Sequence, residues 1–328
     1  MQKITVGKNE AGQSLLKLLS KRLNTAPKSF IYKMLRKKNI ELNGKKTDGS
    51  VILREGDEVS LFLSDETIDK FSSQKMLPQE GKTSTGALKT VYEDDNILIA
   101  DKPQGLLSQS AALGDDSVNE RIIAYLISES KLSIKELETF RPSICNRLDR
   151  NTGGLITFGK TLPALQILNK AFASRDLKKY YLCVVRGAVD SSGLFEAYLS
   201  KDEKTNKVTV TKKPVKSAKE NDTDLIKTEY EPLRRGKDFT LLRVHLITGK
   251  SHQIRAHLAM LGHPIAGDPK YGDPKVNKKL EREFGVRYQL LYSYELTMPE
   301  KMEEPLSYLE GRTFRGTVPE IFNILTAD

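Results

Sequence analysis

The residues best suited to chemistry lie within residues 141–161, RPSICNRLDRNTGGLITFGKT. Asp149 lies there with Arg147 two positions before it and Arg150 directly after it. Neighbouring positive charge favours the ionised form of a carboxylate. A glycine pair then allows a sharp turn before the apolar run 155–158. An ionised carboxylate on a tight loop suits a nucleophile or a general base, although an Asp between arginines is by itself more often a surface ion pair.

The composition points to a nucleic-acid partner. The chain has 328 residues, enough for two domains, with a net charge of +10 and an isoelectric point near 9.3. Such a basic balance is typical of proteins that bind polyanions. Two cysteines are too few for a disulfide framework or a zinc cluster, so a reducing, cytoplasmic setting is expected. No apolar run predicts a membrane span, and residues 1–10 lack the apolar core of a signal peptide.

Residues 1–63 have the pattern of a small separate module. Apolar residues at helical spacing predict one helix over residues 15–23, and Pro27 opens a second. The turn pair Asn43-Gly44 predicts a hairpin over residues 40–46, followed by a strand over residues 59–63. The module holds 13 Lys and Arg against 6 Asp and Glu, a net charge of +7. Charge alone leaves both a solvated helix face and a nucleic-acid surface open.

The polar stretch 64–88 separates this module from the rest of the chain and predicts a flexible linker. Order returns in residues 89–328 with a short strand predicted over residues 97–100. Ser117 with Glu120 forms a capping box for one helix, and Thr161 begins another. The Lys- and Thr-rich residues 201–222 predict an exposed basic hairpin or loop able to touch RNA.

Two further stretches carry polar residues beside apolar runs. KKYYLCVVRG, residues 178–187, predicts a buried strand, and a Tyr at the start of such a strand is normally a core residue. LITGKSHQIRAHLAMLGHPIAGDPKYG, residues 246–272, predicts a turn and then a helix over residues 252–260. His252 and His257 are five residues apart, with no Glu or Cys nearby in metal spacing, so zinc is not expected.

These three stretches together resemble the RluA-type pseudouridine synthases. NRLDRNTGG is similar to the family's HRLDxxTSG, with Asn146 in place of His and Gly153 in place of Ser. KKYYLCVVRG resembles the K-x-Y motif, and residues 246–272 resemble L-x-TGRTHQIRxHLxxxGHPIxGDxxYG almost throughout. The resemblance implies that Asp149 is the catalytic residue, Tyr181 the active-site tyrosine and Arg255 the ion-pair partner of the Asp.

The resemblance also extends to residues that would contact the substrate. Arg147 is expected to fill the space that a flipped-out uridine leaves, and Thr152 to contact the substrate beside it. Residues 13–63 resemble the S-four (αL-type) RNA-binding module. That likeness implies that six cations face RNA phosphates: Lys28, Arg36, Lys37, Lys38, Lys45 and Lys46.

The resemblance therefore implies an α+β catalytic domain with a mixed, mostly antiparallel sheet, preceded by a small α+β RNA-binding domain. The function that the resemblance implies is conversion of specific uridines to pseudouridine in RNA, most plausibly large-subunit ribosomal RNA. We expect a monomer that needs no cofactor or metal, because the isomerisation involves no oxidation. The alternative is a non-catalytic RNA-binding or ribosome-assembly factor. A glycoside hydrolase ranks low, since only one acidic residue lies in the central motif.

Overall fold

The computed structural model describes residues 1–72, 88–112, 114–134, 136–202, 205, 207–214 and 223–327. Within them the chain forms eight α-helices, none of which is long and apolar enough to cross a membrane, and fourteen β-strands. In chain order these are β1 (Gln2–Thr5), α1 (Leu15–Arg22), α2 (Lys28–Arg36), β2 (Ile40–Leu42), β3 (Glu58–Leu61), α3 (Asp65–Phe71), β4 (Lys89–Glu93), β5 (Ile97–Lys102), α4 (Val118–Ser128), β6 (Ser143–Ile144), β7 (Gly153–Gly159), α5 (Leu162–Ser174), β8 (Lys178–Arg186), β9 (Gly193–Asp202), β10 (Lys207–Thr211), β11 (Asp224–Arg235), β12 (Phe239–Leu246), α6 (Gln253–Met260), α7 (Pro274–Phe284), β13 (Leu291–Thr297), β14 (Thr313–Arg315) and α8 (Glu320–Leu325).

Eleven of the described strands form one large sheet. Their order is β10-β9-β11-β12-β8-β13-β7-β5-β4, with β14 paired to β13 and β6 paired to β7. The pairing of β13 with β7 is parallel, and the other pairings described for this sheet are antiparallel. The predicted α+β class and the mixed, mostly antiparallel sheet are therefore confirmed.

The middle of this sheet is covered on both faces. Every residue of β7 is buried, because alternate side chains of a strand point to opposite sides. Ile156 packs into a core with Ile122 of α4, while Leu155 packs into a second core with Leu168 of α5. The loop that precedes β7 is thus attached to one of the most deeply buried strands of the protein.

The helix starts predicted from capping residues are confirmed. The Ser117 hydroxyl accepts the N–H of Glu120 at 3.3 Å before α4, and the Thr161 hydroxyl accepts the N–H of Ala164 at 3.4 Å before α5. Each cap satisfies a backbone donor that the first helical turn leaves without a partner. These two helices cover opposite faces of the sheet next to β7.

The first part of the chain has a sheet of its own, in the order β1-β3-β2, and a separate apolar core. The linker predicted from Ser64 onwards is wrong for its first third, because α3 occupies Asp65–Phe71. Ser64 caps this helix, Ile68 enters the core of the module, and the rings of Phe71 and Phe30 lie 4.5 Å apart. Residues 73–87 of the predicted linker lie outside the described residues.

Two predicted hairpins need correction. Asn43 and Gly44 do form a positive-φ turn with a Leu42–Lys45 bridge, but β2 pairs with β3, whose alternating apolar residues bury against the helices. In the region 201–222, β10 pairs with β9, and its Val208 and Val210 are buried rather than exposed, because they pack beneath α6. Residues 203–204, 206 and 215–222 lie outside the described residues.

The parallel contact between β7 and β13 depends on Gly154. Its φ is +113°, a conformation that residues with a Cβ rarely adopt. A Cβ at this position would lie 2.3 Å from the carbonyl oxygen of Ser293 on β13. Gly154, the second residue of the glycine pair, is therefore required by the close approach of two strands rather than by a turn.

We expect Gly154→Ala to lower the free energy of unfolding by about 3 kcal/mol or more, since strain and overpacking add. Gly187→Ala is the matched control, because Gly187 also has a positive φ, +82°, but has no atom within 4 Å of a Cβ. It should lose only about 1–2 kcal/mol. Urea unfolding of the two variants measures both values, and equal losses would show that the contact with Ser293 is unimportant.

Candidate active site

Asp149 lies on the loop that joins β6 to β7, and backbone contacts hold this loop in place. The N–H of Thr152 donates to the carbonyl of Asp149 at 3.0 Å and closes a turn. The Ser108 hydroxyl accepts the N–H of Leu148 at 3.0 Å and donates to the Leu148 carbonyl at 2.7 Å. The carboxylate is thus positioned by the protein before any substrate binds, which lowers the entropic cost of reaction.

Arg255 is a buried residue of α6 that bridges two carboxylates. Its Nη1 donates to Asp149 Oδ2 at 2.8 Å, while Nε and Nη2 donate to Asp268 Oδ2 and Oδ1 at 2.7 and 2.9 Å. Asp268 is completely buried. Burial opposes the charge on Arg255, but the two carboxylates outweigh it and raise the pKa of the guanidinium. The predicted pairing of Arg255 with Asp149 is present, and Asp268 completes it.

The two oxygens of Asp149 have different surroundings. Oδ2 accepts the hydrogen bond from Arg255 and lies 3.8 Å from Nε2 of His252. Among the described residues, Oδ1 has no hydrogen-bond partner. The side chain is 30% exposed, so this oxygen is accessible from the cleft. A carboxylate held through one oxygen and free at the other is arranged as a nucleophile.

Tyr181 lies on β8 and lines the same cleft as Asp149. Burial raises the pKa of its hydroxyl to about 12, with a hydrogen bond to Ser293 opposing the shift and the charge of Asp149 adding to it. The hydroxyl therefore stays protonated at neutral pH. This protonation state suits ring stacking and hydrogen-bond donation, and it disfavours the role of proton acceptor.

His252 precedes α6 and has a left-handed backbone, with a φ of +53°. Its Nδ1 lies 2.9 Å from the Tyr271 hydroxyl, which already accepts the N–H of Val208 at 3.0 Å. The Tyr271 hydrogen is then available to Nδ1, which leaves the ring proton on Nε2, facing Asp149. Burial lowers the pKa of His252, although the charge of Asp149 opposes the shift.

Lys102 is a buried cation beneath the loop that carries Asp149. Its Nζ donates to the carbonyls of Arg150 at 2.8 Å and of Pro103 at 3.0 Å, and only 1% of the residue is exposed. Burial lowers its pKa to about 7, with the charge of Asp149 opposing the shift. Lys102 thereby ties the turn after β5 to the loop that carries Asp149.

The cleft that contains these groups has a volume of about 390 Å³. Arg147 and Thr152 both line it, but Arg147 is exposed, whereas Thr152 is buried and accepts a hydrogen bond from Gln289 Nε2 at 3.1 Å. Thr152 therefore supports the loop more than it offers a surface to a substrate. The predicted phosphate-contacting residues of the N-terminal module are all exposed and do not line this cleft: Lys28, Arg36, Lys37, Lys38, Lys45 and Lys46.

Sequence reasoning assigned no role to three members of the site: Asp268, His252 and Lys102. Asp268 follows the apolar residues of HPIAGD, and a carboxylate in so apolar a setting is a signal for a buried ion pair. Lys102 ends an apolar strand in the same way. No local pattern marks His252 as a member of the site, because its contact with Tyr271 joins residues 19 positions apart.

Comparison with known proteins places this site in a family. Residues 96–260, which include Asp149, Tyr181 and Arg255, match the family model described as RNA pseudouridylate synthase. The chain is 30% identical over 303 residues to an uncharacterized RNA pseudouridine synthase of Mycoplasma genitalium, covering 91% of this chain and 89% of that protein. It is 29% identical over 288 residues to ribosomal large subunit pseudouridine synthase C of Escherichia coli, covering 84% and 82%.

Solved structures show the same fold. The structure of human RNA pseudouridylate synthase domain containing 4 aligns with a TM-score of 0.56 at 21% sequence identity. The alignment covers 72% of this chain and 90% of the human chain. At this level of identity the similarity supports the fold alone, and it agrees with the α+β architecture built around the large sheet.

We expect Asp268→Asn to destabilise the protein by about 3–5 kcal/mol, because it leaves the buried Arg255 with one carboxylate fewer. The control is Glu303→Gln, which breaks the exposed pair with Lys170 and should cost less than about 1 kcal/mol. Urea unfolding provides both values. A loss for Asp268→Asn no greater than that of the control would mean that the bridge adds little to stability.

The low pKa of Lys102 predicts a pH-dependent stability. Between pH 7 and the ordinary pKa of 10.5, the folded protein binds fewer protons at Lys102 than the unfolded chain does. Stability must therefore rise with pH over this window. Relative to Lys102→Met, the wild-type protein should gain stability as the pH is raised from neutral towards 10. Urea unfolding at a series of pH values tests this, with exposed Lys178→Met as control, and parallel curves for wild type and Lys102→Met would contradict it.

Proposed function

The chain belongs to the RNA pseudouridylate synthase family, and we propose that it converts specific uridines of large-subunit ribosomal RNA to pseudouridine with Asp149 as the nucleophile. It is thus an RNA-modifying isomerase. The choice of ribosomal RNA rests on the relatives, which include proteins described as ribosomal large subunit pseudouridine synthases.

The observation that carries the proposed role of Asp149 is its geometry. The carboxylate is held by Arg255 through Oδ2 at 2.8 Å, and Oδ1 is free in the cleft. Arg255 is itself held by Asp268, so the ion pair sits in a rigid frame. No other Asp or Glu lines the described cleft. One carboxylate of fixed orientation is what an isomerisation at a glycosidic bond requires.

The reaction is balanced without an external reactant. The bond between ribose carbon one and base nitrogen one breaks, and a bond from ribose carbon one to base carbon five forms. Carbon five then loses its proton, and nitrogen one gains one. No electrons pass to an acceptor, so the proposed chemistry calls for neither a redox cofactor nor a metal.

Asp149 supplies the temporary partner in this exchange. Attack on the base ring and attack on ribose carbon one both use the free Oδ1. When the carboxylate is released, it is the one carboxylate among the described residues of the cleft that can accept a proton. Because Tyr181 stays protonated, Asp149 is the better acceptor for the carbon-five proton.

The surroundings of Asp149 support entry of an unstacked base. Tyr181 offers an aromatic ring on one wall of the cleft, where a flipped uracil would stack. Arg147 is exposed at the same cleft, and its planar guanidinium suits the space that the base leaves in the RNA. We assign Thr152 to support of the loop, through its contact with Gln289.

Residues 1–63, extended by α3, are proposed as a separate RNA-binding module, with residues 89–328 as the catalytic domain. The exposed cations of α2 and of the turn after β2 support contact with RNA phosphates. We propose a monomer, because one chain supplies Asp149, Tyr181, Arg255 and Asp268. Ribosomal RNA as substrate implies that the enzyme works in the cytoplasm.

The decisive test is pseudouridine mapping in cells that lack this protein. Wild-type protein should restore modification at the uridines that lose it. Asp149→Asn should lower conversion at least about a thousandfold, because the nucleophile is removed. Asp95→Asn, which changes an exposed carboxylate in the same domain, should restore modification fully.

Either of two results would overturn the proposal. Full modification by Asp149→Asn would remove the nucleophile from this residue. If every modified uridine of ribosomal RNA stays modified in the deleted cells, ribosomal RNA is excluded as substrate. If Asp149→Asn also supported every growth phenotype, a non-catalytic role in RNA binding or ribosome assembly would replace the proposed one.

A further inference from the structure

The cleft around Asp149 carries more positive charge than its own carboxylate neutralises. Arg255 is paired with Asp149 and Asp268, and Lys250 is paired with Asp224 at 2.7 Å. Three more cations line the cleft and form no ion pair with any described residue: Arg147, Arg175 and Lys179. Arg147 lies two residues before Asp149, whereas Arg175, at the end of α5, and Lys179, on β8, form a separate pair.

Lys179 is the least expected of these cations, because it is half-buried. Its Nζ lies beside the turn before α6, where a Cβ on Gly249 would be 3.5 Å from it. Among the described residues it donates no hydrogen bond. Burial lowers its pKa, and the charge of Arg175 lowers it further. A half-buried ammonium next to a second cation is unfavourable unless an anion occupies the site.

Lys179 lies close to the place where the reacting base would bind. Lys179 and Tyr181 are two residues apart on β8, so their side chains point to the same face of the sheet. Tyr181 lies at the wall where the uracil would stack. The Lys179 ammonium is therefore one step along the strand from the base, and Arg175 lies next to it at the end of α5. Lys178 points to the other face and is exposed.

We propose that Lys179 and Arg175 form a phosphate-binding site for the RNA backbone, taking the phosphodiester next to the uridine held at Asp149. The inference rests on the proposed RNA substrate and names the part of it that this wall recognises. A phosphodiester carries one negative charge on two terminal oxygens. The guanidinium can bind both oxygens, and the ammonium adds a point charge.

The test is the salt dependence of RNA binding. Full-length protein carrying Asp149→Asn, which prevents turnover, is titrated with a fluorescein-labelled oligouridylate at a series of sodium chloride concentrations. Lys179→Met should reduce the slope of log Kd against log salt by about 0.7, since one phosphate contact on a single strand is lost. At 0.1 M salt this corresponds to binding about fivefold weaker.

Matched variants separate charge from packing. Lys179→Arg keeps the charge and should keep the slope, and Lys178→Met should leave it unchanged. Arg175→Met should reduce the slope as Lys179→Met does, and the double variant should add little, because both side chains serve one phosphate. A slope unchanged in Lys179→Met, or reduced equally by Lys179→Arg, would overturn the phosphate site.

The binding assay does not depend on the identity of the nucleophile. If the mapping finds no uridine that depends on this protein but Lys179→Met reduces the salt slope, the phosphate site stands and the proposed reaction is rejected. If wild-type protein restores ribosomal modification but Lys179→Met leaves the salt slope unchanged, the proposed reaction stands and the phosphate site is rejected.

Discussion

The site depends on the bridge that Arg255 makes between Asp149 and Asp268. Asp268 is completely buried and binds the guanidinium through two oxygens, so Arg255 has little freedom of movement. The remaining nitrogen is then fixed in position and holds one oxygen of Asp149. Two carboxylates around one cation leave a net negative formal charge, and Asp149 is the more accessible of the two carboxylates. The bridge thus fixes the orientation of the Asp149 carboxylate.

Burial shifts the pKa values of titratable groups in and beneath the cleft in opposite directions. Burial raises the pKa of Tyr181 and lowers those of His252 and Lys102, because it disfavours the charged form of each group. Tyr181 and His252 are therefore neutral near pH 7. Asp149 is paired with the Arg255 guanidinium. Asp149 is the one carboxylate among the described residues that line the cleft.

The fold brings these residues together through the centre of the sheet. The loop before β7 carries Asp149, β8 carries Tyr181, and α6 carries Arg255 and follows β12. Strand β13 lies between β7 and β8, and the approach of Gly154 to Ser293 sets the separation of β7 and β13. Because β7 is buried on both faces, a displaced loop would require the core to change as well.

Local signals in the sequence were sufficient for much of this description. The caps at Ser117 and Thr161, the helices that begin there and the strand around Ile97 follow from neighbouring residues. Motif resemblance supplied the α+β class and selected Asp149, Tyr181 and Arg255. The helix Asp65–Phe71 was missed because its stability comes from packing of Ile68 and Phe71. Tertiary structure alone decided that Asp268 anchors Arg255, that Oδ1 of Asp149 is free and that Thr152 is buried. Each of these depends on contacts between segments distant in the chain, and the same contacts determine how far each side chain is buried and therefore its pKa.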